Sequence, residues 1–97
     1  MSKTGYVYLL ANKPYGTLYV GVTSNLIQRV WQHKEGLVEG FAREHDVKLL
    51  VWFDQCDEIS GAIAREKQIK DWKRRWKVNL IQEKNPGWRD LYEELLG

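Results

Sequence analysis

Five side chains of this sequence are of the types that together hydrolyse phosphodiesters: Tyr8, Tyr19, Arg29, His33 and Glu66. That reaction needs an activated water, charge relief on the phosphoryl oxygens and help for the leaving oxygen. Arginine binds phosphate through its planar fork, and one carboxylate holds Mg²⁺ largely through waters. A phenol, with a pKa of about 10, acts as a base only when a cation or metal lowers that pKa or shares the proton transfer.

The two tyrosines lie on a predicted β-hairpin. Residues 6–11 and 17–22 are typical of strands, and a turn containing Asn, Pro and Gly joins them. Because side chains alternate across a strand, we expect Tyr8 and Tyr19 to lie close together on one face. Gly21 shares that face and would leave a gap where a ligand approaches the backbone. Tyrosine also pairs well across strands, so the hairpin alone favours packing over function.

Arg29 and His33 lie one turn apart on a predicted helix. Residues 23–25, Thr-Ser-Asn, offer N-caps for this helix, LIQRVWQHKE. Its apolar face consists of Leu26, Ile27, Val30 and Trp31. Arg29 and His33 follow the border of that face, one above the other. Taken alone, each is more typical of a solvated side chain without a task.

Glu66 lies on the apolar side of a second predicted helix. The buried stripe is marked by Ile59, Ala62, Ile63 and Ile69, and Glu66 falls near its middle. An unpaired carboxylate there would cost several kcal/mol, so it requires a partner, a metal or water. A structural ion pair with Arg29 or Lys70 and a functional role are equally good explanations.

The remaining segments complete a predicted sheet with helices packed around it. VKLLVWF, residues 47–53, reads as a third strand that is apolar enough to be covered on both faces. Glycines at 36 and 40 end the first helix and start a loop that continues through FAREHD, residues 41–46. The long helix runs over residues 59–84 with a break near Trp76, and a Pro-Gly pair stops it before a short closing helix, WRDLYEELL. We therefore expect one α/β (α+β) domain over residues 1–97.

Composition excludes several classes of protein. With 97 residues, 43% hydrophobic and 29% charged, the chain suits one folded domain rather than a disordered protein. No apolar run approaches the roughly 20 residues of a membrane helix, and the start MSKTG lacks a signal-peptide core, so we expect a cytoplasmic protein without a membrane partner. The single cysteine, Cys56, excludes an internal disulfide and suggests a buried thiol. A net charge of +2 permits nucleic acid as a partner.

Tryptophan is unusually frequent, at positions 31, 52, 72, 76 and 88. We expect these rings mainly in the core, with stacking on an unpaired base as the alternative. KDWKRRWK, residues 70–77, interleaves basic and aromatic side chains, as backbone and base contacts would. Lys73 and Arg74 are therefore candidate substrate-binding residues. A solvated helix face anchored by its tryptophans is the other interpretation.

The order of these motifs resembles that of a known family. YVY, ten residues and then YVG is similar to the two-part signature of the GIY-YIG nuclease superfamily. The similarity continues through TSNLIQRVWQH, AREKQIK and LIQEKNPGWRDL, and it is greatest to the small stand-alone branch of predicted endonucleases. This resemblance implies a three-stranded antiparallel sheet flanked by helices, cutting DNA with one divalent cation, Mg²⁺ or Mn²⁺.

The resemblance also implies roles for individual residues of the hairpin and first helix. Tyr8 takes the place of the family's candidate base or water-orienting group, and Tyr19 that of the second tyrosine. Gly21 would keep the site open to substrate. Arg29 would bind the scissile phosphate, and His33 stands one turn later, where the family often has a tyrosine or histidine.

Two further roles fall on the C-terminal half. Glu66 takes the place of the metal-binding glutamate. A late asparagine often supports the site and the substrate, and Asn85 in NPGW fits the branch's pattern better than Asn79.

Two positions depart from the family pattern. Tyr6 replaces the first glycine of the signature. This replacement is tolerable if the glycine is needed only to fit the backbone conformation. Val22 stands where many active relatives carry a lysine or histidine close to the first tyrosine. Because valine cannot lower a phenol's pKa, activation of Tyr8 would fall to His33, Arg29 or the metal, and we expect weak or narrowly specific cleavage.

The sequence thus predicts a metal-dependent endonuclease acting on DNA rather than RNA, directed by structure more than by base sequence. Two alternatives stay open. One is a nucleic-acid-binding module with impaired catalysis, and the other is a protein-interaction domain that binds a DNA-repair partner. A monomer or weak homodimer is expected in each case.

Overall fold

A three-stranded antiparallel sheet forms the centre of the fold. The computed structural model describes residues 3–97. Strand β1 (Gly5–Ala11) lies between β2 (Leu18–Thr23) and β3 (Leu49–Cys56) and is antiparallel to both. The predicted hairpin and the predicted α+β fold class are confirmed. The third strand begins two residues later and ends three residues later than the sequence predicts.

Helices flank the sheet on both faces. Within residues 3–97 they are α1 (Leu26–Lys34), α2 (Phe41–Glu44), α3 (Ile59–Asp71), α4 (Arg74–Lys84) and α5 (Tyr92–Leu95). Helix α1 begins where its cap predicts, since the Asn25 side chain accepts a hydrogen bond from the Gln28 backbone N–H at 3.2 Å. None of the helices in this part of the chain is both long and apolar enough to cross a membrane.

Two helical predictions are wrong. The segment FAREHD contains the short helix α2 instead of a loop, because Ala42 packs into the core and its carbonyl accepts a hydrogen bond from the Val47 backbone N–H. The predicted break in the long helix is present, but its predicted position is wrong: it lies at Trp72 and Lys73, which both have extended backbones, whereas Trp76 lies in the first turn of α4.

The sheet divides the core into two layers. On one face, Val7 and Leu9 pack against residues of α3 and α4 together with Trp52 and Trp88. The opposite face packs against α1 and α2: Tyr8, Leu10, Leu26, Val30 and Ala42 belong to that layer. The prediction that β3 is covered on both faces is confirmed, because Val51 belongs to the first layer and Leu50 to the second.

Some expected core residues lie at the surface. Trp31 is 46% exposed and Trp76 is 47% exposed, so these two tryptophans do not build the core. Ile63, assigned to the buried stripe of the second helix, is exposed as well. Cys56 is a free thiol that is only half-buried.

Asn85 ties the chain after α4 to the sheet. Its side chain donates to the Val51 carbonyl at 3.0 Å and to the Arg89 carbonyl at 2.9 Å, and it accepts from the Arg89 N–H at 3.1 Å. The residue is 2% exposed. Its amide therefore replaces water for three backbone groups around a tight turn that continues to Trp88, whose φ is 54°.

We expect Asn85→Ala to lower the free energy of unfolding by about 2 kcal/mol or more, because buried backbone groups lose their partners. Asn79→Ala is the matched control, since Asn79 is exposed on the same helix, and its effect should stay within about 0.5 kcal/mol. Urea unfolding measures both. Equal losses in the two variants would contradict the role assigned to Asn85.

Candidate active site

The ring of Tyr8 lies against the backbone of Gly21. These residues are directly opposite each other in the β1–β2 pairing. A Cβ atom at position 21 would lie 2.3 Å from Cζ and 2.4 Å from Oη of Tyr8. The space beside Gly21 is therefore filled by the phenol and is not a gap for a ligand, which corrects the sequence-based expectation. The absence of a side chain at position 21 instead allows the Tyr8 ring to pack on the backbone of β2, the edge strand.

Three rings gather above this contact. The Tyr8 hydroxyl oxygen lies 3.0 Å from Nε2 of His33, within hydrogen-bonding distance. The ring centroids of Tyr8 and Tyr19 are 6.4 Å apart, and those of Tyr19 and His33 are 5.3 Å apart. Helix α1 brings His33 inward so far that it is 4% exposed, while Arg29, one turn earlier, stays half-buried. The structure thus brings together the tyrosines and the histidine.

The electrostatic environment keeps both hydrogen-bonded groups neutral. Burial raises the pKa of Tyr8 above its usual value, Tyr19 and Glu66 raise it further, and Arg29 opposes them. Burial, and secondarily the Arg29 guanidinium, lower the pKa of His33 to about 4. At neutral pH the pair is a phenol and an uncharged imidazole.

Glu66 is a buried carboxylate with an incompletely satisfied oxygen. The residue is 9% exposed, as the inward position on the helix predicts. The Lys70 ammonium lies 3.1 Å from Oε1, so one of the two predicted ion pairs forms. The approach is not aligned for a hydrogen bond, and Oε1 has no hydrogen-bond partner within residues 3–97. Lys70 is largely exposed, and it therefore balances the charge from the solvent side without satisfying the oxygen.

Arg29 and Glu66 lie on helices that cover opposite faces of the sheet, α1 and α3. Both influence the pKa of Tyr8, which belongs to the layer that α1 covers. Val22 pairs with Val7, and both side chains belong to the α3 face. The Val22 side chain is therefore directed to the face of the sheet opposite to that of Tyr8.

Three predicted substrate-binding residues lie outside this cluster. Asn85 is buried and bonded to backbone groups, so it holds a turn and is not accessible to substrate. Arg74 donates hydrogen bonds of 2.7 Å to the carbonyls of Tyr15 and Gly16 and so fixes the β1–β2 turn. Lys73 is exposed immediately before α4.

Sequence reasoning did not single out Gln32. The Gln32 Oε1 atom lies 3.5 Å from Nη1 of Arg29, which is the longest distance at which a hydrogen bond is counted. This contact helps to orient the guanidinium. The i, i+3 spacing of the two residues on α1 is the signal that could have identified it.

Comparison with known proteins identifies the family. Residues 4–79 match the model of the GIY-YIG catalytic domain. The chain is a member of the GIY-YIG nuclease family. It is 37% identical over 87 residues to a UPF0213 protein of Syntrophus aciditrophicus, covering 89% of this chain and 97% of that protein. It is 35% identical over 80 residues to a UPF0213 protein of Clostridium perfringens, covering 82% and 85%.

A solved structure agrees with the GIY-YIG assignment. The solution NMR structure of a UPF0213 protein from Bacillus halodurans has a TM-score of 0.56 and 25% sequence identity to this chain, and the match covers 90% of this chain and 92% of that one. The family recognised from the sequence and the fold it implies are both confirmed. The roles of the individual site residues stay predictions.

We expect Gly21→Ala to destabilise this GIY-YIG protein by about 1–3 kcal/mol. The new methyl group would displace a tyrosine ring that is 1% exposed and held by His33, so the clash is not easily relieved. Gly61→Ala in α3 is the control: its nearest contact would be 3.9 Å away, and it should be neutral or gain up to about 1 kcal/mol. Thermal or urea unfolding compares the two, and a neutral Gly21→Ala would disprove the close contact.

The lowered pKa of His33 predicts a pH-dependent stability. The folded state favours the neutral imidazole, so its contribution is fully present above the ordinary pKa of about 6.5 and is lost as the pH falls towards 4. We expect His33→Gln to remove up to about 3 kcal/mol of this pH dependence. His45→Gln, at the exposed histidine, should leave the dependence as in wild type. Urea unfolding at intervals from pH 7.5 to 4.5 measures the slopes, and parallel curves for wild type and His33→Gln would refute the prediction.

Proposed function

We propose that this protein is a metal-dependent endonuclease that hydrolyses phosphodiester bonds in DNA. The observation that carries the proposal is the 3.0 Å contact between the Tyr8 hydroxyl and Nε2 of an uncharged, buried His33. Arg29 and Glu66 both influence the pKa of this phenol. Membership of a nuclease family supports the reaction class.

The tyrosine and the histidine act as one proton-accepting unit. As water attacks the phosphorus, it gives a proton to the Tyr8 oxygen while Tyr8 passes its own proton to Nε2 of His33. The phenol is neutral before and after this transfer. The raised pKa of Tyr8 is therefore no obstacle, because a free phenolate never has to form.

Arg29 binds the phosphate and thereby links substrate binding to the basicity of His33. Its guanidinium suits two phosphate oxygens at once. In the free protein its charge helps to lower the pKa of His33. A bound phosphate offsets that charge, so the imidazole becomes a better base when the substrate is present.

Glu66 is suited to bind a resident Mg²⁺ or Mn²⁺. A buried carboxylate oxygen without a hydrogen-bond partner is a suitable ligand, and the lysine beside it is exposed enough to move away. Residues 3–97 contain no cluster of three or more His, Cys, Asp or Glu residues that could hold a metal ion. Glu66 would therefore hold the cation with waters and substrate, as is common for Mg²⁺. When bound, the cation supplies charge relief on the phosphoryl and leaving oxygens.

Cleavage assays on branched, nicked and single-stranded DNA with Mg²⁺ or Mn²⁺ test the proposal. We expect Tyr8→Phe and Glu66→Gln each to lower kcat by about 100-fold or more, because the proton acceptor or the cation ligand is lost. Tyr6→Phe, a half-buried tyrosine on the same strand outside the cluster, is the control and should cut within about twofold of wild type. EDTA should abolish the activity, and the same substrates made of RNA should be cut more slowly.

Other outcomes would replace the proposal. Cleavage that neither Tyr8→Phe nor Glu66→Gln reduces would mean that the site is misplaced. DNA binding that survives Glu66→Gln, without any cleavage by the wild type, would favour a binding module. No affinity for nucleic acid at low salt would favour a protein-interaction domain.

A further inference from the structure

A second group of side chains lies where α3 ends and α4 begins, outside the catalytic cluster. The segment 67–77 holds six of the 15 basic residues of the protein and only one of its 13 acidic ones. Since the whole chain has a net charge of only +2, its positive charge is concentrated on this short stretch. Such a concentration attracts a polyanion.

Two tryptophans lie within this basic stretch. The rings of Trp72 and Trp76 meet edge to face with centroids 6.2 Å apart. Trp72 is half-buried against the core, whereas Trp76 is 47% exposed. The Arg65 guanidinium lies 5.7 Å from the Trp72 ring centroid. An open cleft of about 320 Å³ adjoins the rings, lined by Trp72, Trp76, Asn79, Leu80 and Glu83.

We propose that Trp72 and Trp76 form a stacking platform for an unpaired base of single-stranded nucleic acid. Every base has an aromatic face, so a tryptophan accepts bases without regard to sequence. The polar groups of Asn79 and Glu83 can meet the edge of a stacked base. The exposed cations Lys73 and Arg75 of the same stretch can pair with a phosphate backbone but not with an apolar protein segment.

The platform rests on the proposed function, because it describes the substrate of the same site. Glu66 lies in α3, six residues before Trp72, which directly follows the helix; the helical rise puts their backbones about 9 Å apart along the axis. That distance corresponds to about three stacked nucleotides. The preferred substrate would then be DNA with unpaired bases within a few nucleotides of the scissile phosphate, such as a flap, a bubble or a single strand.

Binding of a fluorescent single-stranded oligonucleotide in EDTA tests the platform without any cleavage. We expect Trp76→Ala to weaken Kd by about 5- to 100-fold and Trp76→Phe to keep most of the affinity. Trp31→Ala is the matched control, because Trp31 is equally exposed on another helix, and its Kd should stay within about twofold. An end-capped duplex should show the same affinity for wild type and Trp76→Ala.

A strand of equal length that lacks bases makes the test specific to stacking. Trp76→Ala should not change the affinity for this abasic strand, because only phosphate contacts remain. Arg75→Gln should weaken binding to both strands and reduce the slope of log Kd against log salt by about 0.7, whereas Arg43→Gln on α2 should change neither.

The proposal is overturned if Trp76→Ala binds the normal strand like wild type, or loses equal affinity for the abasic strand. It is also overturned if wild type has no single-strand affinity at low salt, or if sedimentation shows a dimer that Trp76→Ala dissociates. These results differ from a failure of the proposed function: a Trp76-dependent strand affinity without cleavage in Mg²⁺ or Mn²⁺ would leave the platform standing and refute the nuclease.

Discussion

The ring of Tyr8 lies on the backbone of β2 because position 21 has no side chain. This contact lays a phenol of the central strand across β2, within the layer that α1 covers. The hydrogen bond between Tyr8 and His33 depends on this placement of the ring, and so does the burial that keeps the phenol neutral. A larger residue at position 21 would disturb the tyrosine and every group arranged around it.

The parts of the site that follow from local periodicity could be predicted from the sequence. Strand alternation places Tyr8, Tyr19 and Gly21 on one face, and helical spacing turns Glu66 inward. Both rules operate within one element, where neighbouring side chains have fixed relative directions. The order of the motifs added the family, and through it the topology that joins the elements.

The features that depend on contacts between distant segments were not predictable in the same way. The interruption at Trp72 and Lys73 occurs without glycine or proline, and the short helix α2 depends on the burial of Ala42. Whether a glycine leaves a hole or receives a ring depends on the opposite strand. Likewise, the amide of Asn85 fits the family's pattern but is occupied by backbone groups of β3 and the following turn.

The pairing of Lys70 with Glu66 gives the carboxylate a counterion from its own helix. The buried charge is thereby tolerated in the absence of any metal, so folding does not have to wait for ion uptake. In the nuclease proposed above, a cation at Glu66 would have to exchange with an ammonium group that can return to solvent at little cost. Its occupancy would then depend on the ionic composition of the surroundings.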